Sequence, residues 1–377
     1  MSKVKLGDVA IEHKETCKGS KDGYPIVGLE HLVSEEVTLT AWDEGSNNTF
    51  TKMFRKGNVL FGRRRAYLKK AAVAPFDGIC SGDITVIEAI PDRILPELLP
   101  FIIQNDELFD FAVGKSAGSL SPRVKWEHLK NYEFELPDMD KQRELAELLW
   151  AMDATKKSYQ KLIAATDELV KSQFIERFGK PGTDPFRWGL TTLGKCCELN
   201  PRKPKGINTD DSYSFVAMPS VSEDGRIDAS VERPYAEVCK GFTYFAENDV
   251  LFAKITPCME NSKGGVAKGL KNGVGFGSTE FHVLRPIKGI SDPYWLYIIT
   301  MFSKFRSDAE KVMTGTGGQR RVPITYLSEY SITLPPIELQ EQFAAFVRQS
   351  DKSKFELEQA LSELTATYKR IIAENLG

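Results

Sequence analysis

Apolar residues along the chain follow two different periods, and the change from one to the other occurs twice. Before Pro137, and again between Pro185 and Pro335, short runs rich in Val, Ile, Phe and Tyr alternate with breaks at Gly, Asn, Asp and Pro. Such runs are typical of strands separated by turns. Helical segments are predicted within residues 95–113 and 293–313. This part of the pattern predicts α+β domains.

The second period follows each of these sections. Residues 138–180 and 337–377 contain no proline, and their apolar positions recur at alternating spacings of three and four. This spacing predicts two long helices with a coiled-coil seam. A helix packed only on its own domain is the alternative, which the polar gaps at Lys156 and Lys354 slightly favour. The predicted seam positions are Leu145, Leu149, Met152, Tyr159, Ile163, Thr166 and Val170, then Phe343, Val347, Ser350, Leu357, Leu361, Leu364, Tyr368 and Ile371.

The second half of the chain repeats the first. Residues 118–137 align without a gap on 316–335, which pairs Arg123 with Arg321, and the offset continues to Gly179 and Gly377. We interpret the chain as two tandem copies joined near Pro185. Antiparallel pairing would let the two seams bury one another, giving a dumbbell with pseudo-twofold symmetry. The predicted regions are a domain at 1–137, a central helical region at 138–180, a second domain at 181–335 and a distal helical region at 336–377.

Composition and charge narrow the class of protein. The 377 residues are 41% hydrophobic, and 50 basic against 52 acidic residues give a formal charge of -2. A uniformly basic chain is therefore excluded, whereas a local basic face is not. The longest apolar runs are too short for a membrane span, and Met1 to Lys5 precede no apolar signal core. Six cysteines without a C-x-x-C pattern predict reduced thiols in a cytoplasmic protein.

Basic residues are concentrated in one segment of each copy. Lys52 to Lys70 contains eight Lys or Arg and no acid, which predicts contact with a phosphate backbone; a solvated hairpin is the alternative. In the second copy, residues 254–256 take the place of the arginine triplet at 63–65. A glycine-rich loop at 314–323 also carries side chains suited to contact base edges. A plain flexible turn is the alternative for this loop. The predicted DNA contacts are Arg63, Arg64, Arg65, Lys69, Lys115, Ser121 and Arg123, then Lys254, Thr256, Lys263, Gln319, Arg320 and Arg321.

Catalytic motifs are not found in the sequence. The four histidines are scattered without the spacing of a metal site. No phosphate-binding loop or nucleophile elbow occurs, and Asn200-Pro201 is followed by Arg202 instead of the Pro-aromatic pair of an amino-methyltransferase. The sequence thus predicts recognition without catalytic or metal-binding residues.

The arrangement resembles the specificity subunit of Type I restriction-modification systems. The resemblance covers essentially the whole chain. It rests on the Leu6-Gly7-Asp8 opening, the block Gly78 to Asp83, the block Ser278 to Leu284, and the Leu-Pro-(x)n-Gln module repeated before each long helix. The duplication of these blocks in order is more specific than any one of them.

The resemblance implies two target recognition domains, which each read half of an asymmetric DNA sequence, and central and distal conserved helical regions that fix their separation. It also implies two methyltransferase subunits that modify adenine N6 and, for cleavage of foreign DNA, ATP-dependent translocating restriction subunits. S-adenosylmethionine, ATP and magnesium would belong to these partners, and none of them to this chain. The alternatives are a stand-alone duplicated DNA-binding or scaffolding protein and an enzyme with an unrecognised site.

Overall fold

The computed structural model of the protein describes residues 2–45, 48–118 and 120–377. These residues form two compact units, Met1–Leu162 with Leu357–Gly377, and Ile163–Glu356. Each unit therefore combines one sheet-rich section with parts of two long helices. The predicted region boundaries at 137, 180 and 335 stay a prediction, because the units divide the chain within the helices.

The described residues of the first unit form three small sheets. Their strand orders are β2-β8-β5-β6, β3-β7-β4 and β1-β9. The strands are β1 (Ser2–Lys5), β2 (Ala10–Glu12), β3 (Ile26–Val27), β4 (Lys52–Phe54), β5 (Val59–Gly62), β6 (Ala71–Val73), β7 (Gly78–Cys80), β8 (Ile84–Ala89) and β9 (Glu133–Leu136). The helices are α1 (Leu6–Val9), α2 (Leu99–Ile103), α3 (Asp106–Gly114), α4 (Trp126–Leu129) and the start of α5 (Met139–Phe178), and a 3-10 turn spans Ala66–Leu68.

The second unit repeats this plan with longer connections. Its strand orders are β11-β18-β15-β16, β13-β12-β17-β14 and β10-β19. The strands are β10 (Leu190–Thr192), β11 (Cys197–Leu199), β12 (Ser212–Val216), β13 (Glu232–Pro234), β14 (Thr243–Ala246), β15 (Val250–Ala253), β16 (Gly264–Val266), β17 (Val274–Gly277), β18 (Phe281–Pro286) and β19 (Ser331–Thr333). The helices are α6 (Leu193–Cys196), α7 (Tyr235–Val238), α8 (Pro293–Met301), α9 (Ser303–Lys311), α10 (Ile324–Glu329) and the start of α11 (Ile337–Leu376), and 3-10 turns lie at Met218–Ser220 and Lys271–Gly273.

Matching strand registers show that the two sections are copies of one fold. In the first unit Phe61 of β5 lies opposite Thr85 of β8, and in the second Phe252 of β15 lies opposite His282 of β18. The ring of Phe61 also packs on Phe109 at a centroid distance of 5.5 Å, as Phe252 packs on Phe305 at 5.8 Å. The predicted α+β class with two tandem sheet-rich sections is thereby confirmed.

The predicted helical segment of each copy is broken into two helices. In the first copy Asn105 separates α2 from α3, and its side chain accepts a hydrogen bond from the Glu107 amide. In the second copy Phe302 has extended backbone between α8 and α9. The capping residue and the extended residue each interrupt the backbone hydrogen bonding of a continuous helix. The apolar spacing continues in the sequence, although the helix axis changes direction at these residues.

The glutamine of the repeated Leu-Pro-(x)n-Gln module ties each long helix to its own unit. Gln142 is buried, accepts from the Leu95 amide at 2.8 Å and donates to the Pro137 carbonyl at 2.9 Å. Gln340 is also buried, accepts from the Asp292 amide at 3.0 Å and donates to the Pro335 carbonyl at 2.9 Å. The repeated module therefore has a structural role, because its glutamine holds the start of each long helix against its own unit by hydrogen bonds.

In the second unit the segments of α5 and α11 run antiparallel. There Lys354 Nζ of α11 lies 2.8 Å from Asp167 Oδ1 of α5, and the ring centroids of Phe178 and Phe343 are 5.4 Å apart. Residue numbers thus increase along α5 as they decrease along α11. In the first unit Lys156 lies 4.8 Å from the ring of Tyr368. The predicted antiparallel pairing of the helices is confirmed in the second unit, and in the first unit the two helices are in contact.

The burial of these helices agrees with the predicted seam. All fifteen seam positions are buried or half-buried. The helices also pack on their own domains, because Leu145 and Leu149 belong to the same core cluster as Phe101 and Tyr368. Each helix thus packs both on the other helix and on the sheet-rich section of its own unit, so packing on the domain alone is not what the structure shows.

Candidate nucleic-acid interface

In the first unit the arginine triplet joins two other chain segments at the end of β5. The amide of Arg63 donates to the Asp83 carbonyl at 3.0 Å, and the Arg63 carbonyl accepts from the Val124 amide at 3.0 Å. The amide of Arg65 donates to the Pro122 carbonyl at 2.8 Å. We call this arrangement of residues 63–65, 83 and 122–124 the first junction.

The second unit builds the same arrangement with different side chains. The amide of Lys254 donates to the Glu280 carbonyl at 2.9 Å, and its carbonyl accepts from the Val322 amide at 2.9 Å. The amide of Thr256 donates to the Arg320 carbonyl at 3.0 Å. Residues 254–256, 280 and 320–322 form the second junction, in which each backbone bond has its counterpart in the first.

Each junction contains an arginine held by a carboxylate. Arg123 donates from Nε to Asp83 Oδ1 at 2.7 Å and from Nη2 to Oδ2 at 3.3 Å. Arg321 donates from Nε to Glu280 Oε2 at 2.9 Å and from Nη2 to Oε1 at 2.7 Å. The hydrogen bonds from Arg123 and Arg321 lower the pKa of Asp83 and of Glu280 respectively, so both carboxylates are ionised at neutral pH.

The other predicted residues of the first unit differ in what they contact. Arg64 donates from Nε to Ser121 Oγ at 2.5 Å and lies 3.5 Å from Asp83 through Nη1. The ammonium group of Lys69 is bound by Asp106 at 2.5 Å. Lys115 is exposed just beyond the end of α3. Since α3 begins at Asp106 and rises about 1.5 Å per residue, the structure does not bring Lys69 and Lys115 together.

An open cleft of about 820 Å³ lies at the first junction. It contains two lysines, of which Lys52 donates to the Ile84 carbonyl at 2.7 Å and has a pKa lowered by burial. The sequence prediction missed Lys14 on the cleft wall and Asp83 below Arg123, because neither stands out in a linear charge pattern. The lining residues are Glu12, Lys14, Glu15, Thr16, Thr49, Phe50, Thr51, Lys52, Arg63, Ser81, Gly82, Asp83 and Arg123.

The second junction is flanked by more acid than the sequence suggested. Arg320 lies 3.8 Å from Glu260 and 3.5 Å from Glu310 through Nη2. Thr256 donates to Glu260 at 2.8 Å. Because Arg320 is shared between two carboxylates, its charge is less available to a phosphate than that of Arg63 in the first unit.

The remaining predicted residues of the second unit are less closely grouped. Burial lowers the pKa of Lys254, and Lys263 approaches the Met218 carbonyl at 3.5 Å. Gln319 is exposed at the tip of its loop, where Gly317 and Gly318 have positive φ values of 60° and 77°. Glycine adopts such backbone without steric cost, so these two residues suit the turn. In the first unit Ser119 of the equivalent loop lies outside the described residues.

A buried histidine braces the second junction. His282 donates from Nε2 to the Val322 carbonyl at 2.8 Å and accepts at Nδ1 from the Asn200 amide group at 3.2 Å. Asn200 is oriented by its own bond, since its Oδ1 accepts from the Val283 amide. Burial lowers the pKa of His282 to about 4, so the ring is neutral at physiological pH.

Acid should destabilise the protein through His282. The unfolded histidine has a pKa of about 6.5, so between about pH 6.5 and pH 4 the unfolded state binds a proton that the folded state excludes. We expect this residue to remove about 2 kcal/mol of unfolding free energy between pH 7 and pH 5. Denaturant unfolding of the protein and of His282→Gln at both pH values measures the difference, with the exposed His128→Gln as control. Equal pH dependence of all three proteins would contradict the assignment.

A buried arginine organises the loop that follows β15. Arg306 donates from Nε to the Thr300 carbonyl at 2.7 Å and from Nη1 to the Met259 carbonyl at 2.6 Å. Burial lowers its pKa only to about 10, so the guanidinium remains charged. Its charge lies against the carbonyl end of α8, where the helix dipole is negative. The loop carrying Thr256 and Lys263 is thus fixed from beneath.

No group of three or more His, Cys, Asp or Glu side chains is arranged to hold a metal ion in the described ranges. In the same ranges, no helix combines the length and apolar character needed to cross a bilayer.

Two solved structures share this fold. One is a chain from a study of complex assembly and conformational transition of the type I R-M system, which aligns over 99% of this chain and 97% of its own with a TM-score of 0.56 and 20% identity. The other is the S subunit of a Type I restriction-modification system from M. genitalium, with coverages of 98% and 94%, a TM-score of 0.56 and 12% identity. The fold is therefore that of Type I specificity subunits.

Sequence comparison gives the family. The chain matches the Type I restriction modification DNA specificity domain over residues 1–165 and 187–365, and it belongs to that family. It is 37% identical over 201 residues to the EcoAI specificity subunit of Escherichia coli and 41% identical over 159 residues to the EcoEI specificity subunit of the same organism. These stretches cover 52% and 42% of this chain, and 34% and 26% of the two relatives.

Proposed function

We propose that the protein is the sequence-specific DNA-binding subunit of a Type I restriction-modification complex. The observation that carries this proposal is the junction built twice, once in each unit, with the same backbone bonds and different side chains. Two similar surfaces with different side chains suit a target made of two unlike half-sites. The family match and the shared fold support the same role.

In this role the chain would act on DNA only through partners. Two methyltransferase subunits would supply S-adenosylmethionine and methylate adenine N6, and ATP-dependent restriction subunits would use ATP and magnesium for translocation and cleavage. The chain itself would be non-catalytic and would work in the cytoplasm. The E. coli relatives named above are specificity subunits of restriction enzymes, which supports this division of labour.

Co-expression with the methyltransferase subunit of the same system tests the proposal. We expect the two chains to co-purify and the host genome to be methylated at one asymmetric sequence in two parts. A stand-alone DNA-binding protein would bind DNA and leave the methyltransferase behind. Methyl transfer by the purified chain alone would instead show that it is an enzyme.

Single alanine substitutions should separate base contacts from phosphate contacts. The set comprises Arg63, Arg64 and Arg65 in the first unit and Gln319, Arg320 and Arg321 in the second. Loss of a base-edge contact should reduce discrimination at one base pair by about 5- to 150-fold, whereas loss of a phosphate contact should weaken all sequences and lower the salt slope by about one unit. The measurement is fluorescence anisotropy of the co-purified complex at several salt concentrations.

Two exposed arginines outside the junctions, Arg93 and Arg202, provide matched controls. Their alanine variants should bind every sequence as the parent complex does. If none of the six junction variants differs from these two controls, the junctions are not the DNA interface.

A further inference from the structure

The arginine and carboxylate at each junction form a unit of fixed orientation. Arg123 and Arg321 both present Nε and Nη2 to the two oxygens of one carboxylate, which is the side-on bidentate arrangement. A guanidinium has five N–H donors in one plane, so this arrangement leaves part of Nη2 and the whole of Nη1 for other partners. Arg321 also donates from Nη1 to the Gln319 carbonyl at 3.0 Å, which still leaves it two N–H groups.

Each of the two arginine side chains is more exposed than the carboxylate that holds it. The side chains of Arg123 and Arg321 are 42% and 41% exposed, whereas those of Asp83 and Glu280 are 20% and 23% exposed. The carboxylate therefore lies beneath the arginine and holds it from the protein side. The carboxylate thus fixes the orientation of a long, flexible arginine side chain before DNA binds, which reduces the entropy cost of binding.

Charge favours a base over a phosphate as the partner of these arginines. The carboxylate neutralises the guanidinium at close range, and its negative charge would repel a phosphate placed against the same group. A base edge carries no net charge, so the carboxylate costs such a contact little. Arg63, which also lines the cleft, is better suited to the backbone.

We propose that Arg123 and Arg321 each read a guanine, and that Asp83 and Glu280 are positioning residues that hold them for this contact. Guanine presents two adjacent acceptors, O6 and N7, in the major groove, and the end of a guanidinium matches them. Adenine and cytosine present an amino donor there, which arginine cannot accept because it has no acceptor. This inference rests on the proposed function and adds the identity of one base in each half-site.

The experiment uses the complex of this chain with its methyltransferase subunits, after methylome sequencing has given the two half-sites. Methylation rates are measured on every single base-pair variant of the target. Arg123→Lys keeps the charge and loses the planar two-donor fork that a bidentate contact uses. We therefore expect discrimination at one G·C pair of one half-site to fall about 5-fold or more, with the salt slope unchanged. Arg321→Lys should do the same in the other half-site.

Variants of the two carboxylates distinguish a positioning role from a purely structural one, because a purely structural role would not change discrimination at one particular base pair. Asp83→Asn should lower discrimination at the base pair that Arg123→Lys affects, and Glu280→Gln should do so at the pair that Arg321→Lys affects. Affinity for unrelated DNA should stay the same or rise, since a negative charge has been removed. Arg93→Lys and Arg202→Lys are the matched controls and should leave every rate unchanged.

A probe in the DNA tests the contact without altering the protein. Replacing the assigned guanine by 7-deazaguanine removes N7 and should lower methylation by the parent complex, whereas inosine keeps O6 and N7 and should be accepted. Half-sites without a G·C pair, full activity on 7-deazaguanine, or variants that weaken all sequences alike would each overturn the inference. If the parent complex shows no sequence preference at all, the proposed function has failed first.

Discussion

Replacing Arg306 by alanine is expected to lower the free energy of unfolding by about 4 kcal/mol. The change removes a buried side chain and leaves the carbonyls of Thr300 and Met259 without these donors. Each buried carbonyl that loses its partner costs about 1 to 3 kcal/mol, and the emptied volume adds to this. Because Met259 lies in the loop that carries Thr256 and Lys263, DNA affinity should also fall.

Chemical denaturation followed by tryptophan fluorescence measures the effect. Trp295 lies in the buried core of the same unit and reports on its unfolding. Lys304→Ala in the same helix removes a charge whose side chain is 71% exposed, and we expect its stability to lie within about 0.5 kcal/mol of the parent protein. If Arg306→Ala resembles this control, the buried guanidinium does not support the loop.

Replacing Asp167 by asparagine is expected to cost about 2 kcal/mol, because it removes the nearer of the two carboxylates that pair with a buried lysine. The side chain of Lys354 is only 8% exposed, and its ammonium lies 2.8 Å from Asp167 and 3.7 Å from Asp224. A buried charge that loses its partner is strongly destabilising, whereas replacing the charge itself by an apolar residue is often neutral. Lys354→Met should therefore stay within about 1 kcal/mol of the parent protein.

A double-mutant cycle separates the two contributions. Adding Asp167→Asn to Lys354→Met should have little further effect, since no buried ammonium remains to be paired. Lys352→Met, at a position that is 79% exposed, controls for the loss of a lysine in the same helix. If Asp167→Asn costs the same with and without Lys354, the two residues do not interact and the pair does not align the helices.

The architecture was largely predictable because repetition and periodicity are properties of the sequence itself. The alternation of three and four residues that placed Leu145, Val170 and Phe343 in a seam requires only helix geometry, and all three are buried. The class of the sheet-rich sections followed from turn residues and strand-forming runs. The break at Asn105 was missed because capping residues also occur inside loops, and the apolar period alone does not show a change of axis.

Lys354 shows the limit of reasoning from a pattern. A lysine at a seam position reads as a gap that weakens helix pairing. In the folded protein it is buried against Asp167, which lies 187 residues earlier in the chain. No local pattern connects two residues at that separation, so only the fold shows that the gap is filled by an ion pair.

The candidate interface divides in the same way. The amino-acid sequence by itself determined that the chain has two copies, that each carries basic residues near a strand end, and that Arg123 corresponds to Arg321. Only the tertiary structure decided which of these charges are neutralised, because Asp83 and Glu280 lie 40 and 41 residues from the arginines they hold. Composition records a charge, whereas its availability to a ligand depends on what the fold places within a few ångströms of it.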